Sequence, residues 1–479
     1  MDLIEALRLT PAPGAPEVVA LVGGGGKSST AFRLAAEAAA RGVRAVATTT
    51  TRIAASEIDA APAVVELTGV AVTGAALPLA QLDAALARSG WCLLVDAARG
   101  EKRSGITPAQ VDGLLAMAPQ LGLGLIAVEA DGSRQLPIKA PAAHEPALPS
   151  CATLVVAVAG VDALGRDLTP DQVHRPERIR ALLGLPPAAP VRLTPAQMAR
   201  LLLDTQGGDR GRPPGARRMV LINKVEDAAQ LALARLVAAR AVSAGVTALI
   251  AAVGRADTAP VRERWGPLGV VVLAAGQARR MGKPKQLIAV DGMTMVRRGV
   301  TTALAAGAQQ VILVSGAHAA AVEAEVAPLA AGRAELEIAH NPAWASGQAS
   351  SLQAGLAALR PEMEAAIFLP VDQPFVPPAL LRRLAQGWRS GAPLAAPVVE
   401  GALHGAPVVE GALHGAPGAN GTLRGAPAIF DRSLWPELMA VRGDVGGREV
   451  LRRHAATAHA VPAQAAWLRD LDTPDDLAG

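Results

Sequence analysis

Short apolar runs, spaced by longer alanine-rich stretches, set the rhythm of this chain. In its first half the runs fall at residues 18–22, 43–47, 92–95, 123–128, 154–158 and 219–222. Runs this short and this apolar predict strands buried on both faces, as in a parallel sheet covered by helices. Residues 28–41 follow the first run with the composition of a helix. The rhythm restarts at residues 270–273, 311–314 and 366–369, again as strands. Strand alternating with helix predicts the α/β class. The restart predicts two domains, a three-layer one over 1–254 and a second with a mostly parallel sheet over 268–479. Residues 255–267, charged and just ahead of the second series, predict the linker. Residues 205–217, TQGGDRGRPPGAR, predict a mobile surface loop.

Composition supports this reading and removes several classes. A chain of 479 residues is too long for one core. Half of it is apolar, but with 4 Phe, 6 Trp and no Tyr the cores must be built from Ala, Val and Leu. The net charge is +4 and the arginines are scattered, so no nucleic-acid tract is expected. Cys92 and Cys151 are isolated and form neither a disulfide framework nor a metal spacing. The opening MDLIEALRLTPAPGAPE lacks a basic region followed by an apolar run, so no secretory signal is expected. No apolar stretch is long enough for a membrane span. A cytoplasmic protein is the expectation.

One repeat stands out. PVVEGALHGA at 397–406 recurs letter for letter at 407–416, and PGANGTLRGA at 417–426 is a degenerate third copy. Ten residues are too few for a solenoid unit. Identity this complete reads as a tandem duplication in a surface loop.

Candidate chemistry begins at the restart. The run 270–273 breaks into Ala274-Ala275-Gly276, followed by Arg279, Arg280, Lys283 and Lys285. A strand that ends in a small-residue turn carrying cations can hold a polyphosphate. The segment Leu273-Ala274-Ala275-Gly276-Gln277-Ala278-Arg279-Arg280-Met281-Gly282-Lys283-Pro284-Lys285 resembles the signature of the molybdenum-cofactor nucleotidyltransferases, LAAG-x-S-x-R-M-G-x-x-K. Ala278 departs from it where Ser is usual, and the KPKQL ending resembles the cytidylyltransferase branch. Further likenesses follow in order: Asn341 to Leu352, with Trp344, Gly347, Ser350 and Ser351; Asp372-Gln373-Pro374; Arg424-Gly425-Ala426-Pro427; Gly443 to Arg448; and Asp470-Leu471-Asp472-Thr473-Pro474-Asp475-Asp476.

That resemblance implies a Rossmann-like nucleotidyltransferase domain that joins CTP to molybdenum-bearing molybdopterin and releases pyrophosphate. Lys285 and Arg280 would grip the triphosphate, and Asp372 would hold Mg²⁺. Asp472 is the candidate distal ligand, although helix capping accounts for Thr473 and the later acids. Leu273, Ala274, Ala275, Gly276, Arg279, Gly282, Gly347 and Ser351 would line the nucleotide. Asp444 and Arg448 either orient the acceptor or pair on the surface.

In the first half, Gly23-Gly24-Gly25-Gly26-Lys27-Ser28-Ser29 lies between a predicted strand and a predicted helix, the setting of a P-loop. Position 21 is Leu, so the shorter G-x-x-G-K-S-S form of Mur-ligase-like P-loops fits. Lys27 would reach phosphate oxygens, Ser28 would hold Mg²⁺, and ATP and GTP are the candidate nucleotides. Glu129-Ala130-Asp131-Gly132 follows a strand, which makes Asp131 a candidate metal ligand. Thr48 to Thr51 is either a phosphate contact or β-prone sequence, and Asn223-Lys224-Val225-Glu226 only partly matches N-K-x-D. With Lys139 and His144-Glu145-Pro146, these pieces resemble the YqeC-type accessory proteins of selenium-dependent molybdenum hydroxylases. The resemblance implies a nucleotide-binding role in hydroxylase maturation and an apo-hydroxylase of the xanthine dehydrogenase type as partner. Two alternatives stay open: a nucleotide-gated cofactor-insertion chaperone that makes no bonds, and a nucleotidyltransferase using GTP or acting on an isoprenoid or sugar phosphate.

Overall fold

The apolar runs become strands whose successive side chains enter different layers. In strand β1 (Glu17–Gly23), Val18, Ala20 and Val22 pack into one core, while Val19 and Leu21 pack into another on the opposite face. Only apolar side chains can fill both faces, and this is why the run carries no polar alternation. The computed structural model describes residues 1–67, 77–96, 98–99, 102–187, 189–255, 259–277, 281, 283–400, 408–409 and 421–477. The chain divides into two units, Met1–Trp265 and Gly266–Gly479.

Apart from a small antiparallel sheet of Arg52–Ala54, Lys102–Ser104 and Ala98–Arg99, the first unit is built on one nine-stranded sheet. Its strands are β1, β2 (Arg44–Thr49), β3 (Val64–Leu67), β4 (Trp91–Asp96), β5 (Leu123–Glu129), β6 (Leu154–Gly160), β7 (Arg217–Asn223), β8 (Thr247–Ala251) and β9 (Val261–Trp265). They lie in the order β9-β8-β7-β6-β1-β5-β2-β4-β3. Every pairing is parallel except β8 with β9. Helix α1 (Lys27–Ala40) begins directly after the glycine turn. Because β1 sits mid-sheet between β5 and β6, the loops at the C-terminal ends of these three strands converge, the usual ligand position of an open α/β sheet.

Two expectations change. The segment expected as linker, 255–267, supplies the edge strand β9, and the boundary between the units follows Trp265. Three of its charged side chains find partners within the unit. Arg264 Nε donates to the Ala6 carbonyl at 2.8 Å, Arg262 Nε to that of Val225 at 3.0 Å, and buried Glu263 accepts from Arg235 Nε at 3.0 Å. The loop expected to be mobile is tied down. Asp209 takes hydrogen bonds from Arg212 Nε at 2.7 Å and Arg218 Nη1 at 3.1 Å, and Gly208 N–H bonds to Leu201 O at 3.0 Å.

The second unit has a parallel core extended by antiparallel strands. Its strands are β10 (Leu268–Leu273), β11 (Gln310–Ser315), β12 (Leu336–His340), β13 (Ala365–Pro370), β14 (Leu394–Glu400), β15 (Val408–Val409), β16 (Gly421–Arg424), β17 (Ala428–Asp431) and β18 (His459–Pro462). The order is β12-β11-β10-β13-β17-β14-β16-β15, with β18 beside β14. Strands β12 to β13 in that order are parallel, and β13 pairs antiparallel with β17. Val270 and Val272 face one core and Val271 the other, repeating the logic of β1. Of the ten-residue repeat, residues 401–407 and 410–420 lie outside the described residues. The Val-Val pairs of its two identical copies, Val398-Val399 and Val408-Val409, both pair with β16.

Candidate functional site

In the second unit the turn after β10 is fixed before any ligand arrives. Ala274 N–H bonds to Val314 O at 3.0 Å, and Gln286 Nε2 donates to the carbonyls of Ala274 and Gly276 at 2.9 and 2.6 Å. Leu273, Ala275, Gly276 and Gln277 therefore face a cleft of about 1110 Å³, whose walls include Lys285, Gly347, Ser351, Asp372 and Asp472. Ala274, expected to contact nucleotide, is buried and outside that lining, because its backbone is used to hold the turn. Arg279, Arg280 and Gly282, together with Ala278, lie outside the described residues.

The centre of the cleft is a lysine among carboxylates. Lys285 Nζ is 2.6 Å from Asp372 Oδ2 and 3.1 Å from Asp472 Oδ1. Burial alone would lower the ammonium pKa, but Asp372 and then Asp472 outweigh it and hold it above the ordinary lysine value. The two acids come from distant segments joined by a backbone bond, Leu471 N–H to Asp372 O at 2.9 Å. Asp476 accepts from the N–H groups of Asp472 and Thr473 at 2.9 and 2.7 Å, which fixes the turn that presents Asp472. Asp470, bonded to Gln373 Nε2 at 3.0 Å, is pushed up to about 6 by burial, with Asp372 and Asp472 adding to the shift.

Gly347 has φ of +116°, and a Cβ there would sit 2.4 Å from Gly443 C, so only glycine fits between the two segments. Asn341 Nδ2 bonds both Ser350 Oγ and Ser351 Oγ, at 2.9 and 3.0 Å. These contacts explain why the segment from Asn341 and the Gly443–Asp444 turn reach one cleft. Among the described residues no group of three or more His, Cys, Asp or Glu side chains could hold a metal ion. Asp372 and Asp472 both line the cleft, and two carboxylates are a donor set that phosphate oxygens could complete for Mg²⁺.

In the first unit the glycine turn is held from all sides. Gly23 N–H bonds to both oxygens of Asp131 at 3.0 and 3.1 Å, Gly24 N–H to Val158 O at 2.9 Å and Gly25 N–H to Leu136 O at 3.2 Å. Asn223 Nδ2 braces Gly25 O at 2.9 Å, and Asn223 Oδ1 takes Val253 N–H at 2.9 Å. In a P-loop such glycine amides would wrap phosphate; here those of Gly23, Gly24 and Gly25 bond within the protein. The N-terminus of α1 remains. There Thr30 N–H is the first to bond within the helix, to Gly26 O at 3.0 Å, so the amides ahead of it face outward. Lys27 folds back on its own turn, 2.7 Å from Gly23 O and 3.5 Å from both Glu129 and Asp131.

Asp131 also departs from its expected role as metal ligand. Gly23 N–H, Lys27 and, at 3.1 Å, Lys139 surround its two oxygens, so it is a buried brace. Ser28 Oγ instead meets Glu129 at 2.6 Å and Glu57 at 2.9 Å. Burial raises the Glu129 pKa, opposed by Lys27 and Ser28. The brace continues outward: Lys139 is 2.6 Å from Glu145, and Glu145 is 2.6 Å from Arg175. Ser29 is exposed on the first turn of α1.

Comparison with known proteins agrees with this division. The YqeC protein model matches residues 19–177. The uncharacterized protein YqeC of Escherichia coli (strain K12) is 34% identical over 209 residues, 44% of this chain and 76% of that protein. The chain belongs to the YqeC family. Beyond its YqeC unit it carries a MobA-like NTP transferase domain, matched over residues 270–458, and that domain makes it a nucleotidyltransferase. Nicotine blue oxidoreductase of Paenarthrobacter nicotinovorans is 38% identical over 125 residues, 25% of this chain and 57% of that protein. Among solved structures, Rv0371c of Mycobacterium tuberculosis H37Rv matches 44% of this chain and 96% of its own at 26% identity, with a TM-score of 0.36. Its complex with manganese matches at 24% identity over 44% and 96% of the two chains, with a TM-score of 0.34.

Several site residues had no signal in the sequence. Glu57 lies in a short helix, Ala55–Ile58, outside any motif. Arg175 reaches Glu145 across 30 residues, and Gln286 looks like any loop glutamine until its two carbonyl partners are seen. Asn223 was visible only as part of an imperfect N-K-x-D, and its contact with Gly25 is the better reason for its presence.

Proposed function

We propose that this YqeC-family protein transfers CMP from CTP to the phosphate of molybdenum-bearing molybdopterin, giving the cytosine dinucleotide cofactor and pyrophosphate. The observation that carries the reading is the meeting of Lys285, Asp372 and Asp472 in the cleft that the Gly276 turn also lines. An acceptor phosphate oxygen attacks the α-phosphorus of CTP in line. The bond from that phosphorus to the oxygen bridging to the β-phosphate breaks, and pyrophosphate leaves. The Gly276 turn and Lys285 hold the triphosphate, and Gly347 and Ser351 line the nucleoside side. A Mg²⁺ ion held by Asp372 and Asp472 would neutralise charge on the transferring group. Lys285 then exchanges its carboxylate partners for phosphate oxygens, so positioning and charge neutralisation come from the same three residues. Arg280 adds a second cation to the grip.

In the YqeC unit the proposed ligand is ATP or GTP, with its phosphates at the N-terminus of α1. Lys27 would leave Gly23 O to reach them, and Ser28 would hold Mg²⁺ with Glu129 beside it. The partner is an apo-hydroxylase of the xanthine dehydrogenase type that receives the finished cofactor. Pyrophosphate release from purified protein, Mg²⁺ and molybdopterin tests the reading, with CTP against GTP and with isoprenoid and sugar phosphates as competing acceptors. Release that is fastest with CTP and molybdopterin supports it. Cofactor binding with no pyrophosphate would turn the reading to a non-catalytic insertion chaperone.

A further inference from the structure

Arg424 closes strand β16, three places along the sheet from β13 and its Asp372. Three strand spacings are roughly 14 Å. The side chain is 5% exposed and lines the same cleft as Asp372 and Lys285. Among the described residues its Nε and Nη1, both buried, have no hydrogen-bond partner. Asp444 and Glu449 line the cleft too, but neither pairs with it. A guanidinium does not shed its proton, so burial cannot be relieved by neutralisation. An unpaired buried charge destabilises the fold that holds it, and such a group is retained where a ligand supplies the missing acceptor. The triphosphate of CTP is already accounted for at the Gly276 turn and Lys285.

We infer that Arg424 binds an oxyanion group of the acceptor substrate. The inference rests on the proposed nucleotidyl transfer for the identity of the acceptor. The planar fork of donors suits a two-oxygen contact, and a lysine would restore the charge but not that geometry. In this arrangement the carboxylates and Lys285 organise the reacting phosphates, while Arg424 sets how the acceptor lies in the cleft.

The test compares the full-length protein with R424M and R424K. Pyrophosphate release is measured with CTP and acceptor varied in turn, and thermal unfolding is followed with and without inorganic phosphate. R424M should raise the acceptor KM at least about tenfold, the scale of losing a charged hydrogen bond, and leave the CTP KM within about twofold. R424K should fall between R424M and the parent. R424M should melt no lower than the parent without phosphate, and should lose part of the rise in melting temperature that phosphate produces. Equal increases in both KM values, an undiminished phosphate effect, or a lower melting temperature in R424M would overturn the assignment. If the parent protein releases no pyrophosphate with any acceptor, nucleotidyl transfer fails as the reading, and the phosphate arm alone decides Arg424.

Discussion

Replacing Lys285 with Met should weaken catalysis and strengthen metal binding together. Without ligand, Lys285 occupies Asp372 at 2.6 Å and Asp472 at 3.1 Å, the two oxygens proposed to hold Mg²⁺. A divalent ion must displace that ammonium. Each charged hydrogen bond is worth about 1.5–3 kcal/mol when buried. The Asp472 side chain is 35% exposed, so solvent screening lowers the combined cost of displacement to about 1–2 kcal/mol. K285M should therefore bind Mn²⁺ roughly 5- to 30-fold more tightly in the absence of nucleotide. The same variant should lose about 10²- to 10³-fold in pyrophosphate release, the usual scale for removing one group that stabilises a charged transition state. Titration of Mn²⁺ by electron paramagnetic resonance measures the first effect, and steady-state kinetics the second. Unchanged or weaker Mn²⁺ binding in K285M would mean that Asp372 and Asp472 do not share the ion, and the metal assignment would fall with it.

Gly347→Ala places a methyl 2.4 Å from Gly443 C on a backbone with φ of +116°, and should cost about 2–4 kcal/mol in urea unfolding together with a rise in the CTP KM. Asn223→Ala removes the bond to Gly25 O and leaves Val253 N–H unpaired in the core; a loss of about 2–3 kcal/mol and weaker ATP or GTP binding are expected, and unaltered nucleotide affinity would refute the brace. Burial alone would raise the Glu145 pKa, yet Arg175 and Lys139 hold it near 2, against an ordinary value of 4.5. The native state thus binds this proton less readily than the unfolded chain, so its stabilisation is full above pH 4.5 and is lost as pH falls toward 2. Melting temperatures taken across that window should drop less steeply in E145Q than in the parent.

How much was legible follows from how each signal is stored. Parallel strands buried on both faces announce themselves as apolar runs, and every run read that way, from residues 18–22 to 366–369, lies within a strand save for Val43, one residue ahead of its own. The antiparallel half of the second sheet did not announce itself. Gly421–Arg424 and His459–Pro462 are four residues each and take their register from neighbours far away in sequence. The edge strand Val261–Trp265 looked like a linker because a strand that buries Glu263 and Arg264 against partners elsewhere in the chain shows charges where apolar residues are expected. For the site, motif spacing brought Lys285, Asp372 and Asp472 into view, and the structure joins them. Asp131 misled, since a carboxylate after a strand gives no hint of how many cations will surround it. Glu57 depends on its contact with Ser28, which no linear pattern records, and the motif that includes Arg424 gave no hint that its guanidinium is buried without a partner among the described residues.

The glycine turn of the YqeC unit has one more consequence. With three successive amides already committed to Asp131, Val158 and Leu136, the turn keeps its shape when no ligand is near. The nucleotide capture proposed for it would then require no loop to condense, since the entropy of ordering that loop was removed when the chain folded. What the proposed phosphate would still have to overcome is the hold on one side chain, the Lys27 ammonium, which rests on the Gly23 carbonyl and beside Glu129 and Asp131.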